Sequence, residues 1–167
     1  MTLKQSLTRW LATLGLLLAL TACASTPRLV PHAFNFEGWN DGWAKQADLL
    51  EYAYGDAYAP VRDKSRDGSG IGYSWGVNGP MPVGDFLYVK WRLKGTGEVL
   101  EDKVDLRHRL PRDMTDHELT FVIEGRQLYV YVVTPKRRMA QEKAPLLRTW
   151  RSKFAVAYEI YPTVSKP

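Results

Sequence analysis

The chain has 167 residues, of which 45% are hydrophobic and 25% charged, the balance of an ordinary globular domain rather than a disordered one. Its length suits one domain with one sizeable core. The net charge is +5 for the whole chain and +3 once Lys4 and Arg9 of the first 22 residues are set aside, too small an excess for a dedicated nucleic-acid binder.

Residues 1–22 read as an export leader. Lys4 and Arg9 form a short basic region, and Leu11 to Leu20 form an apolar run. That run is about half of the roughly 20 residues a membrane-spanning helix needs. The junction Leu20-Thr21-Ala22-Cys23 resembles the lipobox of bacterial lipoproteins. The resemblance implies cleavage before Cys23 and acylation of its thiol and of the new amine, with several acyl chains giving a durable anchor. Ala24 follows the cysteine where an Asp would mark inner-membrane retention, so the class implies the outer membrane, facing the periplasm. Cys23 is the single cysteine, so no intramolecular disulfide can form and the core alone holds the domain together.

Residues 24–33 carry Pro27 and Pro31 without periodicity, which with Cys23 predicts a tether over 23–33. A single β-rich domain is expected over 34–167. Phe34 and Phe36 alternate with polar neighbours, and Asn40-Asp41-Gly42 marks a turn. Leu50, Tyr52 and Tyr54 alternate with Glu51 and Ala53 as in a strand, although Trp43 to Tyr54 is also helix-friendly. Residues 59–70 are polar and read as an exposed loop. Ile71 to Val77 returns to strand character, and Asn78-Gly79-Pro80 is expected to break it.

Two hairpins follow. Phe86 to Leu93 and Val99 to Leu106 flank Gly95-Thr96-Gly97, with Leu87, Val89, Trp91 and Leu93 on one face and Val104, Leu106, His108 and Leu110 on the partner's. Leu119 to Glu124 and Leu128 to Thr134 flank Gly125-Arg126-Gln127, and the second arm is apolar on both faces, as a central strand is. A last strand over Phe154 to Tyr161 places Phe154, Val156, Tyr158 and Ile160 together. Seven to eight antiparallel strands at this spacing predict a β-sandwich or small barrel.

Catalytic patterns fail on context. Gly72-Tyr73-Ser74-Trp75-Gly76 fits G-x-S-x-G, with His108 and His117 downstream, but a nucleophile elbow needs a helix after the serine. Val77-Asn78-Gly79-Pro80-Met81-Pro82 cannot start one. Gly68, Gly70 and Gly72 also lack the following helix that holds a phosphate. His32, His108 and His117 do not form a metal-ligand pattern. Glu98, Glu101, Asp102 and Asp105 read as a solvated strand face rather than a paired-carboxylate site.

Two segments read as partner-binding surface instead. Between Pro135 and Lys153, seven basic residues, among them Arg137, Arg138 and Arg148, stand against Glu142 alone and include Trp150. Export points such a segment toward anionic lipid, glycan or an acidic protein rather than nucleic acid. Trp39 and Trp43 flank the first turn, and exposed tryptophans are strong binding anchors.

The runs Phe86-Leu87-Tyr88-Val89-Lys90-Trp91-Arg92, Thr96-Gly97-Glu98-Val99, Val104-Asp105-Leu106-Arg107 and Arg109-Leu110-Pro111, with Gln127 to Tyr131 and Tyr158 to Pro162, resemble small proteobacterial lipoproteins of unassigned function. Some of those are encoded beside type VI secretion effector genes and are taken to be immunity proteins. The resemblance spans Phe34 to Pro162 and rests on strand patterns, so it carries no catalytic residues. Together with Cys23 in its lipobox, the missing catalytic constellation and the basic segment, this points to a non-enzymatic, lipid-anchored module for a protein partner, without cofactor, metal or nucleic acid. A role in envelope assembly or as a secretion-system accessory is the alternative, and an enzyme acting on glycan or lipid the third.

Overall fold

The computed structural model describes residues 27–57, 60–64, 70–139 and 146–162. The leader, Cys23 and the start of the tether lie outside these residues, as do Gly68, Glu142 and Lys143. Two sheets face each other as a β-sandwich. The first has five strands, in the order β4 (Ser74–Pro82), β1 (Leu29–Glu37), β7 (Glu118–Glu124), β8 (Gln127–Arg137) and β9 (Ala155–Tyr161). The second has four, in the order β3 (Val61–Arg62), β2 (Ala47–Tyr54), β5 (Phe86–Leu93) and β6 (Val99–Asp105). Every pair is antiparallel except β1 with β7.

Alternation decides which side chains enter the core. Phe34 and Phe36 of β1, Leu87, Val89 and Trp91 of β5, and Phe121 of β7 meet between the sheets. Aromatic rings fill the centre: Phe36 lies 5.1 Å from both Tyr52 and Phe121, and Trp43 stacks on Phe121 at 6.0 Å. Both predicted hairpins are present, as β5–β6 and β7–β8. Residues on both faces of β8 are buried, and Arg148 lies 3.9 Å over the ring of its Tyr129.

Several sequence expectations are corrected. The strand begins at Leu29 inside the expected tether, and His32 is a buried member of β1. The strand expected at Leu50 to Tyr54 is present as Ala47–Tyr54, not the competing helix, but a bulge at Leu50 puts Leu49 rather than Leu50 in the core with Tyr52 and Tyr54. Two strand residues, β3, lie in the expected loop. His108 and Leu110 fall beyond the end of β6, and Phe154 precedes β9 and is exposed.

Strand β4 runs through Pro80 to Pro82 instead of stopping at Asn78. Pro80 pairs with Pro31. Neither proline has an N–H, so the two form a non-hydrogen-bonded pair and Pro80 turns its backbone outward, which only an edge strand permits.

The two edges of the sandwich differ. Along β6 and β9, Tyr161 Oη donates to Asp102 Oδ2 at 2.6 Å, and Arg109 Nη1 donates to the Ile160 carbonyl at 2.7 Å. Between β3 and β4 the sheets stay apart around an apolar cavity of about 310 Å³.

Candidate functional site

The structure joins the two segments that the sequence offered separately. Gly38–Asp41 forms one helical turn, capped by Gly42 in the left-handed region, and Trp43–Lys45 forms a 3₁₀ turn behind it. A second 3₁₀ turn, Trp150–Lys153, is capped by the Thr149 side chain, which accepts from the Arg151 N–H. Asp41 Oδ1 accepts the backbone N–H of Trp150 at 2.7 Å and holds the two turns together.

Around this junction the predicted partner-binding residues separate into two kinds. Trp39 is 59% exposed, its ring edge-on to Tyr73 at 5.2 Å. Trp150 is half-buried and meets the exposed ring of Phe154 at 5.3 Å. Arg137 is exposed at the end of β8, and half-buried Arg138 donates to the Ser152 carbonyl at 3.0 Å.

Trp43 is corrected: it is 1% exposed and belongs to the core. The role expected of Arg148 changes too. It pairs with Glu124, approaches Glu159 at 3.7 Å and lies 3.9 Å over the Tyr129 ring, so its charge is spent within the domain.

Polar groups at the junction are incompletely satisfied. Among the described residues, the buried side-chain polar atoms without a hydrogen bond are Asp41 Oδ2, Trp43 Nε1, Glu118 Oε1 and Trp150 Nε1. All four belong to the junction or to residues packed on it. Glu118 Oε1 does lie 2.9 Å from Arg151 Nε, an ion-pair distance without hydrogen-bond alignment. Burial pushes the Asp41 carboxyl up to about 6 against the opposing Trp150 N–H and Thr149. It raises Glu118 as well, opposed chiefly by Arg151.

The two acids line separate hollows. Glu118 opens on a hollow of about 420 Å³ with Thr134, Trp150 and Phe154. Asp41 opens on a separate one of about 180 Å³ with Gln46, Glu124 and Arg148. Ser74 begins an edge strand, β4, and the next element is strand β5 rather than a helix. Among the described residues no three His, Cys, Asp or Glu side chains could hold a metal ion, and no helix is long and apolar enough to cross a membrane.

Sequence reasoning missed the cavity at the other edge because its lining comes from four strands. Phe34 of β1, Tyr52 and Tyr54 of β2, Val61 of β3, and Trp75 and Val77 of β4 face it. The exposures of Trp75 (45%) and Val61 (37%) put both at its mouth.

No family model matches the chain, and neither a curated protein nor a solved structure shows significant similarity to it.

Proposed function

We propose that this chain is a lipid-anchored, periplasm-facing module that binds another protein without catalysing a reaction, in the role of an immunity protein against a delivered effector. The observation that carries the binding role is the junction itself. Exposed Trp39 and Phe154, half-buried Trp150 and the basic Arg137 and Arg138 lie on the segments that meet there, and Asp41 Oδ2 and Trp150 Nε1 at the junction lack a hydrogen bond among the described residues. Aromatic anchors with arginine at the rim are what protein interfaces concentrate. Unpaired buried polar atoms are costly unless something else engages them. The basic rim favours an acidic partner surface and speeds its approach.

The anchor rests on Leu20-Thr21-Ala22-Cys23, and the immunity role on the resemblance of the β-domain to lipoproteins encoded beside effector genes. Blocking an effector requires a complementary surface only.

Contact-dependent competition on solid medium between a deletion strain and its parent tests the role. Immunity predicts that secretion-competent parent cells kill the deletion strain by contact, and that this gene rescues it. Equal survival with a defective envelope would replace immunity with an assembly role.

A further inference from the structure

The edge cavity shares no lining residue with the junction and needs its own account. Phe34, Tyr52, Tyr54, Val61, Trp75 and Val77 line most of it, and among the described residues no charged side chain contributes. An ionic ligand would therefore lose hydration without recovering it. The rings also rule out a cage around a cation. Phe34 lies 5.1 Å from Tyr54, 5.9 Å from Tyr52 and 6.3 Å from Trp75, so they pack on one another and form a floor.

The shape favours a chain over a fused ring system. The lining follows β4 from Trp75 to Met81, a run of about 20 Å at roughly 3.4 Å per residue. A volume of about 310 Å³ holds on the order of ten methylene-sized units of about 30 Å³ each. The lining residues that carry a hydroxyl are Tyr52, which is 4% exposed, and Tyr54, whose hydroxyl is engaged by His32.

The length of chain before the fold indicates where such a ligand comes from. Cys23 stands six residues before Leu29, where β1 begins, and Leu29 pairs with Pro82 beside the Met81 end of the cavity. Six residues reach about 20 Å at most. Resting on the lipid-anchor reading above, this length keeps the Met81 end of the cavity, and the domain with it, near the bilayer surface.

We infer that the β3–β4 cavity is a binding site for one acyl chain of a membrane lipid, entering between Val61 and Trp75.

The test uses the full-length protein in cells grown with a photoreactive, alkyne-tagged fatty acid, irradiated and mapped by mass spectrometry. Adducts bearing the mass of a phospholipid or free fatty acid are expected on the peptides holding Tyr52–Tyr54 and Trp75–Met81. Val77→Glu should lower them at least tenfold. Val61→Glu, on the exposed two-residue strand, gives the same test without threatening the fold, with circular dichroism unchanged. No adducts in the cavity, or adducts spread evenly over the surface, would overturn the inference. Cavity adducts joined to the Cys23 lipopeptide would overturn the membrane-lipid source, since the protein's own anchor would then be the occupant. The mass of the N-terminal peptide reports acylation separately: an acylated Cys23 with an adduct-free cavity sinks only the cavity. An unmodified Cys23 with cavity adducts sinks the anchor and supports the acyl-chain site.

Discussion

Asp41 accepts the backbone N–H of Trp150 at 2.7 Å across 109 residues of sequence, so the first turn of the domain is fastened to its last. The carboxylate does this while half-buried and with its second oxygen unpartnered. Geometry is gained at an electrostatic cost.

That cost predicts a pH dependence. Burial lifts the Asp41 carboxyl to about 6, so between about pH 4 and 6 the folded state holds a proton that the unfolded state has released. Stability from this group therefore rises as pH falls through 6 and is lost as the carboxyl ionises above it. Glu118 acts in the same direction. Asp41→Asn keeps an acceptor for Trp150 and removes the charge. At pH 7.5 it should raise stability by on the order of 1 kcal/mol, after discounting for solvent screening, with the gain shrinking by pH 4.5. Urea midpoints at the two pH values decide it; a difference that does not change with pH would refute the account.

Gly38 is fixed by its neighbour. A Cβ there would stand 2.8 Å from Cε2 and Cζ2 of Trp43, a core ring that is 1% exposed. Gly38→Ala should cost about 1–3 kcal/mol through overpacking. Its unfolding midpoint should fall accordingly, and an unchanged midpoint would mean that the turn moves freely.

What the sequence disclosed follows from the range of each interaction. The β5–β6 and β7–β8 hairpins are local: alternation and a glycine-containing turn define them within about 20 residues of chain. The continuation of β4 through Pro80 is not visible in the sequence because a proline's tolerance depends on whether a strand is at an edge, and sheet order is a tertiary property. The bulge at Leu50 shifted which residues face inward, which alternation alone cannot show. Sequence alone offers Trp43 and Arg148 as binding surface because the partners that hold them, Phe121 for one and Glu124 with Glu159 for the other, come from other elements that only the fold brings near. The junction was legible only as two unrelated halves.

His32 and Tyr54 form a buried pair that a single oxygen maintains. His32 Nδ1–H donates to the Val30 carbonyl, leaving Nε2 to accept from the Tyr54 hydroxyl at 2.9 Å. Tyr54→Phe removes that donor and strands a buried nitrogen, for a loss of about 1–3 kcal/mol. Burial also lowers the His32 pKa from its ordinary 6.5. The unfolded chain therefore takes up a proton that the folded one resists, and stability from His32 falls as pH drops below about 6.5. Chemical denaturation of Tyr54→Phe at pH 7.5 checks the pair; an unchanged midpoint would mean that the hydrogen bond contributes nothing net.

Arg137 and Arg148 stand in the same basic segment but should respond oppositely to charge reversal. Arg137 is exposed, so Arg137→Glu should leave the unfolding midpoint within about 0.5 kcal/mol of wild type. Against an acidic partner it should slow association and flatten the salt dependence of the rate. Arg148 holds Glu124 and covers Tyr129, and Arg148→Glu places like charges together. It should destabilise the domain by about 1 kcal/mol, a modest figure because its side chain is 45% exposed. Measuring both variants for thermal midpoint and for association rate at two salt concentrations separates the roles. Loss of binding with intact stability at Arg137 would place the partner on the junction's rim. Loss of stability there, or unaltered association, would move the interface elsewhere.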